Sequence, residues 1–217
     1  ALALVLLFVL FPIVWLVQMS FRPDEDILGY RLLFTPTFAH YASLSESKFL
    51  HSFLNSVVSS CVSTLVALVV GTPAAYVLSR WRFRARGKIA MWILSTRMAP
   101  QITFTIPFFL FYRYVGLSDT VWGRALIYLT FNLALFIVMM QSFFDAVPRA
   151  LEEAAWLDGA GIWTAFLRIT LPLTAPGLAA VAVLCFIFSW NDFFYALILT
   201  RTKAMTAPVA GSGRCPP

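Results

Sequence analysis

The stretch EEAAWLDGAGIWTAFLRITLPL, residues 152–173, places Glu152, Glu153 and Asp158 together in a segment, 152–158, that holds no base. Carboxylates grouped in this way invite a complementary basic surface, so the chemistry they suit is docking. Polar side chains also interrupt the apolar runs at Arg97, Gln101, Asn132, Asn191 and Asp192. Such groups are costly inside a membrane and are functional candidates by default. The same residues also serve as glue between packed helices. Asp192 is placed to pair with Arg97 across two apolar runs.

Enzyme chemistry is poorly served. No G-x-x-x-x-G-K-[ST] occurs, so the chain cannot be its own ATPase by that mechanism. No H-E-x-x-H is present, and the two histidines, His40 and His51, have no Cys or carboxylate at metal-ligand spacing. Three cysteines make no disulfide framework. Cys61 and Cys185 lie in apolar runs, where they read as small buried hydrophobes. The expectation is therefore no catalytic residue, no metal and no cofactor.

The elements that carry these residues are apolar and long. Of 217 residues, 60% are hydrophobic and 12% charged, against about 25% charged in soluble domains. About 20 helical residues cross a bilayer, and five runs reach that length: about 1–19, 53–78, 89–115, 124–144 and 175–199. The expected fold class is an all-α polytopic membrane protein. Between the first two runs lies a polar segment carrying Asp24, Glu25, Asp26 and Glu46 against Arg22, Arg31 and Lys48. Pro100 and Pro107 are expected to kink the third run.

The net charge of +6 has a local source. Arg80, Arg82, Arg84, Arg86 and Lys88 crowd one short loop between two runs, where basic residues fix topology and no nucleic acid is implied. That rule puts the loop in the cytoplasm, and by alternation the connection 145–174 is cytoplasmic too. The chain begins inside an apolar run, so a preceding leader is expected to be missing. Residues 211–217 have no apolar period and read as a linker or an altered reading frame.

The connection reads as a helix–turn–helix hairpin. Pro148 suits a helix start, and residues 149–157 are mostly good helix formers. Leu151, Ala154, Ala155 and Asp158 share one face, a shallow one that a partner backbone can approach. Gly159 is free to take the positive φ that ends the helix. A second short helix over 160–169 sets Ile162, Phe166 and Ile169 on one side, and Leu171-Pro172 is expected to stop it. A helix lying on lipid headgroups favours Lys and Arg, so the acids favour a protein partner.

At these residues the chain resembles the permease subunits of ATP-binding-cassette importers, whose signature is Glu-Ala-Ala, three residues, Gly, nine residues, then Ile-x-Leu-Pro. Glu153-Ala154-Ala155, Gly159, Ile169 and Leu171-Pro172 hold that spacing. Ser20-Phe21-Arg22-Pro23, Arg97-Met98-Ala99-Pro100, Gly116-Leu117-Ser118-Asp119-Thr120, Phe143-Phe144-Asp145-Ala146-Val147-Pro148 and Trp190-Asn191-Asp192-Phe193 resemble the carbohydrate-uptake branch, maltose-like and glycerol-phosphate-like. The resemblance runs from about residue 5 to 210, and residues 1–210 are read as one transmembrane domain.

The resemblance implies an inner-membrane subunit in a heterodimer with a second permease, two cytoplasmic ATPase subunits and an extracytoplasmic solute-binding protein. It implies that the Glu-Ala-Ala loop is a coupling helix seated on the ATPase, with Glu153, Ala154, Ala155, Asp158, Gly159, Leu171 and Pro172 as its residues. Glu153 is expected to meet a basic residue of the ATPase, and Glu152 to be merely solvated. For sugar hydroxyls the candidate path residues are Gln101, Asn132 and Asn191, with Trp190 or Tyr195 stacking. The family pattern has a sixth span after Thr206-Ala207-Pro208-Val209, which is expected to be missing here. Two other classes compete: an ATP-independent secondary transporter, for which no inverted repeat or midplane ion pair is evident, and a membrane assembly subunit without translocation.

Overall fold

A computed structural model describes residues 2–23, 26, 34–46, 49–98, 100–200 and 204–211. Among the described residues all regular structure is helical: α1 (Leu2–Ser20), α2 (Ala39–Glu46), α3 (Phe49–Arg80), α4 (Arg86–Met98), α5 (Gln101–Val115), α6 (Val121–Ala146), α7 (Ala150–Leu157), α8 (Ile162–Leu173), α9 (Ala175–Trp190), α10 (Phe194–Leu199) and α11 (Ala207–Val209). Within α8, residues Phe166–Thr170 are wound as a π-helix. Of the charged residues expected in the polar segment, Asp24, Glu25, Arg31 and Lys48 lie outside the described residues, as do 212–217 and the side chain of Gln101.

The chain divides into two compact units, residues 1–50 and 51–217. In the first, α1 carries exposed apolar side chains along its length, as an element solvated by lipid does. At its end Phe21 packs on Phe38 and Tyr41 with ring centroids 5.4 and 5.3 Å away. The Ser20 and Tyr41 hydroxyls lie 2.7 Å apart, and Arg22 sits over the Phe34 ring. His40 belongs to α2, with Nε2 2.9 Å from the Arg22 carbonyl oxygen.

Among the described residues two helices are long and apolar enough to cross a membrane, α3 and α6; α8 with α9, bent by 73°, makes a third if the pair is one span. The reason α3 belongs in a bilayer is its inverted polarity. Its buried face is built from Ser52, Asn55, Ser56, Ser59, Ser60, Ser63, Ala67, Gly71, Thr72, Ala75 and Ser79, while Leu54, Leu65, Val69 and Val70 point outward. Lipid offers no hydrophobic drive between helices, so small residues that admit close approach and polar groups that bond across take the interface. Ala67, Ala75 and Tyr76 of α3 meet Phe136, Met140 and Phe144 of α6, Phe166 of α8, and Val181 and Cys185 of α9 in one core.

Three expected elements take a different course. The run 175–199 is not one helix: α9 ends at Trp190 and α10 begins at Phe194, with 191–193 non-helical between them. The run 89–115 is not one helix: α4 is described to Met98 and α5 begins at Gln101, with Pro100 extended (φ −60°, ψ 127°) as its N-cap. Pro100 has no N–H to donate, which suits the start of a helix and not its interior. Conversely, Pro172 does not stop α8. It lies in the segment Leu171–Leu173 that follows directly on the π-wound one, and the helix runs on to Leu173, so the bend falls at Thr174. In the expected amphipathic set, Phe166 is buried, Ile169 half-buried and Ile162 exposed.

Candidate functional site

The α7–α8 hairpin is closed by glycine chemistry. Gly159 has φ +86°, its N–H donates to the Trp156 carbonyl (3.0 Å) and the Ala160 N–H to that of Ala155 (2.9 Å). This pair of bonds is the Schellman arrangement, which satisfies the last carbonyls of α7 and turns the chain sharply. The turn leaves a prominent surface. Leu151, Glu153, Ala154, Trp156, Leu157, Asp158 and Gly159 are exposed and Ala155 is half-buried; farther along, Leu171 is half-buried and Pro172 exposed. Leu157 is 90% exposed, so acids and apolar groups share one tip.

Glu152 behaves in the opposite way, and the expectation that it is solvated is wrong: it is 1% exposed. Its Oε1 accepts from Arg80 Nε (2.7 Å) and Thr170 Oγ1 (2.6 Å), and its Oε2 from Tyr76 OH (2.9 Å). Around it the end of α3 is stitched to the hairpin. Arg80 donates to the Val147 carbonyl (3.1 Å), Arg149 to that of Ser79 (2.8 Å), and Ser79 Oγ to Asp145 Oδ1 (2.6 Å). Arg86 lies 3.8 Å from Asp145, and the Tyr76 ring packs on Phe166 with centroids 4.4 Å apart. A buried ion pair survives only when its remaining hydrogen-bonding capacity is used, and here the hydroxyls of Tyr76 and Thr170 use it. Adjacent glutamates gave no local cue, because the partners on α3 lie 72 and 76 residues away.

A cavity of about 190 Å³ opens between α4, α6, α9 and α10, lined by Arg97, Tyr128, Phe131, Asn132, Phe188, Ser189, Asp192 and Tyr195. Of the sequence candidates for a solute path, Asn132 and Tyr195 line it; Trp190 and Asn191 do not. Asn132 Nδ2 lies within donor reach of Ser189 Oγ (2.7 Å), Ser63 Oγ (3.2 Å) and the Cys185 carbonyl (3.2 Å), so this residue ties α3, α6 and α9 together. Tyr195 stacks on Phe131 with centroids 5.3 Å apart. Trp190 stacks instead on Phe186 and meets Phe53 edge-on, and Asn191 is exposed at the end of α9. Arg97 and Asp192 share the cavity without forming an ion pair: Arg97 donates to the Phe131 carbonyl (3.2 Å) and lies over the Phe188 ring, while Asp192 Oδ2 accepts from the Ala196 N–H (3.3 Å).

A second buried cation was passed over in the sequence. Arg124 is 1% exposed at the start of α6 and donates to Ser59 Oγ (3.1 Å), the Asn55 carbonyl (2.7 Å) and the Ala204 carbonyl. The Ala204 N–H donates to Asp119 Oδ1 (3.1 Å), and the Ala207 N–H to Ser56 Oγ (2.9 Å). These bonds hold residues 204–207 against the start of α3, at the opposite end of that helix from Glu152.

A helical chain with long apolar spans, one of them with its polar and small residues turned inward, is, as a class, a polytopic helical membrane protein. Residues 67–213 match the family described as binding-protein-dependent transport system inner membrane component, and the chain belongs to that family. It is 39% identical over 210 residues to the trehalose transport system permease protein SugB of Mycobacterium tuberculosis, covering 95% of this chain and 77% of the relative. It is 33% identical over 205 residues to the trehalose/maltose transport system permease protein MalG of Thermococcus litoralis, with 92% and 74% covered. A solved bacterial ABC transporter involved in the import of the acidic polysaccharide alginate superposes with a TM-score of 0.77 at 29% identity, covering 95% of this chain and 74% of that one.

Proposed function

We propose that the chain is one permease of an ATP-driven, binding-protein-dependent importer of sugars or related solutes, and that residues 145–174 are its cytoplasmic contact with the ATPase. The observation that carries this reading is the division of labour at the hairpin: Glu152 is buried and anchors, while Glu153, Ala154, Asp158 and Gly159 are presented on an exposed tip with Leu157. An exposed acid amid apolar groups suits a partner with a basic rim and an apolar floor. Leu171 and Pro172 close the hairpin at its membrane end. The membrane domain runs over residues 1–210, and ATP is hydrolysed by the two partner subunits.

The sugar reading rests on the relatives and on the chemistry of the cavity. Aromatic faces at Phe131, Phe188 and Tyr195 beside the polar groups of Arg97, Asn132 and Asp192 suit hydroxyl-rich rings. Its volume falls below the roughly 300 Å³ of an ordinary ligand pocket, so a second permease completes the path. Gln101, Trp190 and Asn191 remain path candidates by sequence pattern alone.

Purification of the complex in detergent tests the docking reading. Glu153→Lys and Gly159→Pro are each expected to lose the ATPase from the purified material. If both variants kept an ATPase bound and stimulated by binding protein and solute, the assignment of the hairpin would be wrong.

A further inference from the structure

We propose that Glu152 is a positioning residue for transport: with Arg80, Tyr76 and Thr170 it makes the hairpin and the end of α3 one rigid body, so that a displacement of the hairpin is a displacement of α3. This rests on the reading of the hairpin as the ATPase contact, and it assigns the two adjacent glutamates different tasks.

The geometry is that of a clasp. Glu152 stands on α7, Arg80 and Tyr76 are one turn apart on α3, and Thr170 ends the π-wound segment of α8. A single carboxylate therefore joins three helices, with both oxygens occupied. The attachment is redundant: Arg149 and Val147 bond the same end of α3, and Ser79 bonds Asp145 at the end of α6. The rings of Tyr76, Phe144 and Phe166 fill the space below, with centroids 4.4 to 6.3 Å apart. Packed polar and aromatic contacts of this kind shift between discrete arrangements and do not stretch. A loop that was merely tethered would absorb motion in its own backbone; this one has no slack at its base. A π segment inside an α-helix also recurs at functional positions, and here its last residue supplies the third donor.

The test compares distances within the assembled complex. Spin labels are placed at Leu167→Cys on α8 and Val69→Cys on α3, both exposed, with the native cysteines replaced. Distances are read by pulsed EPR without nucleotide and with ATP and vanadate. With the clasp intact, one narrow distance is expected, the same in both states. In Glu152→Gln/Arg80→Gln, which leaves no unpaired buried charge, the distance is expected to broaden and to shift between states. ATP-coupled uptake is then expected to fall on the order of tenfold, within the usual range of coupling free energies.

A distance that changes between states in the intact protein would overturn the proposal, as would a double variant whose distance stays narrow and constant. Loss of the ATPase from the double variant would also overturn it, by making Glu152 a docking residue. Should the double variant not fold and insert in the membrane, Tyr76→Phe/Thr170→Val keeps the ion pair and is held to the same two outcomes in the distance measurement. Failure of the docking reading shows separately, as retention of a stimulated ATPase in both Glu153→Lys and Gly159→Pro.

Discussion

Removing the Glu152 carboxylate leaves the Arg80 guanidinium, 6% exposed in its side chain, without its counter-charge and leaves the Tyr76 and Thr170 hydroxyls without an acceptor. Breaking one partner of a buried pair costs about 3–5 kcal/mol, so Glu152→Ala is expected to lower the thermal unfolding midpoint in detergent sharply. Glu153→Ala, which uncovers nothing, is expected to leave that midpoint in place. Equal midpoints for the two variants would contradict the burial described here. Asn132 poses a different question, because it both ties three helices and lines the cavity. Interhelical polar contacts in membranes average about 0.6 kcal/mol, so Asn132→Leu is expected to cost little stability. A raised KM for solute in ATP-coupled uptake by that variant would mark Asn132 as a path residue, whereas an unchanged KM with a lower midpoint would leave it as glue.

Helices in this protein approach closely wherever glycine admits an aromatic ring. A Cβ at Gly71 of α3 would stand 2.5 Å from Phe136 Cδ1, and one at Gly177 of α9 would press on Phe143. Phe136 is fully buried and Phe143 is 37% exposed, but both added Cβ atoms fall under 3 Å from ring carbons, at Gly177 from three of them (2.4, 2.5 and 2.8 Å). Gly71→Ala and Gly177→Ala are therefore each expected to destabilise by about 1–3 kcal/mol, the usual cost of overpacking, and melting curves in detergent check both.

The same close approaches explain what the sequence could and could not reveal. The hairpin was legible because helix formers, an Asp-Gly turn and the Glu-Ala-Ala spacing are local signals. The interruption of 89–115 was half legible: Pro100 pointed to a kink, and its extended backbone at the start of α5 makes it a break. The burial of Glu152 was not legible, since its partners come from α3 and from the far side of the hairpin. One clue existed: Tyr76 and Arg80 are four residues apart and share a helix face at the end of a span. Arg124 was missed because it opens a span and was read as a boundary, while its acceptors are carbonyls that no sequence pattern displays.

For the whole molecule, the ion pairs fix which loops share a side. Arg80 and Arg86 flank the basic loop, and they meet Glu152 and Asp145 at the base of the hairpin, so the loop and the hairpin lie at one end of α3 and α6. The Gly116 turn follows α5, and Asp119 and Arg124 stand at the other end of α6. Charge bias supplies the proposed orientation: if the basic loop lies in the cytoplasm, the hairpin lies there too and the Gly116 turn lies outside. Single cysteines read this directly in a background without the native ones. Gly161→Cys is well suited, because a Cβ there meets no atom within 4 Å, as are Arg84→Cys in the basic loop and Tyr114→Cys, at a residue 92% exposed. A membrane-impermeant thiol reagent is expected to label Gly161→Cys and Arg84→Cys in inverted vesicles but not in intact spheroplasts, and Tyr114→Cys in spheroplasts only. Labelling of Gly161→Cys and Arg84→Cys from opposite sides would be incompatible with the Arg80–Glu152 pair itself. Labelling of both from outside would keep the pair and reverse the orientation, placing the hairpin out of reach of any cytoplasmic ATPase.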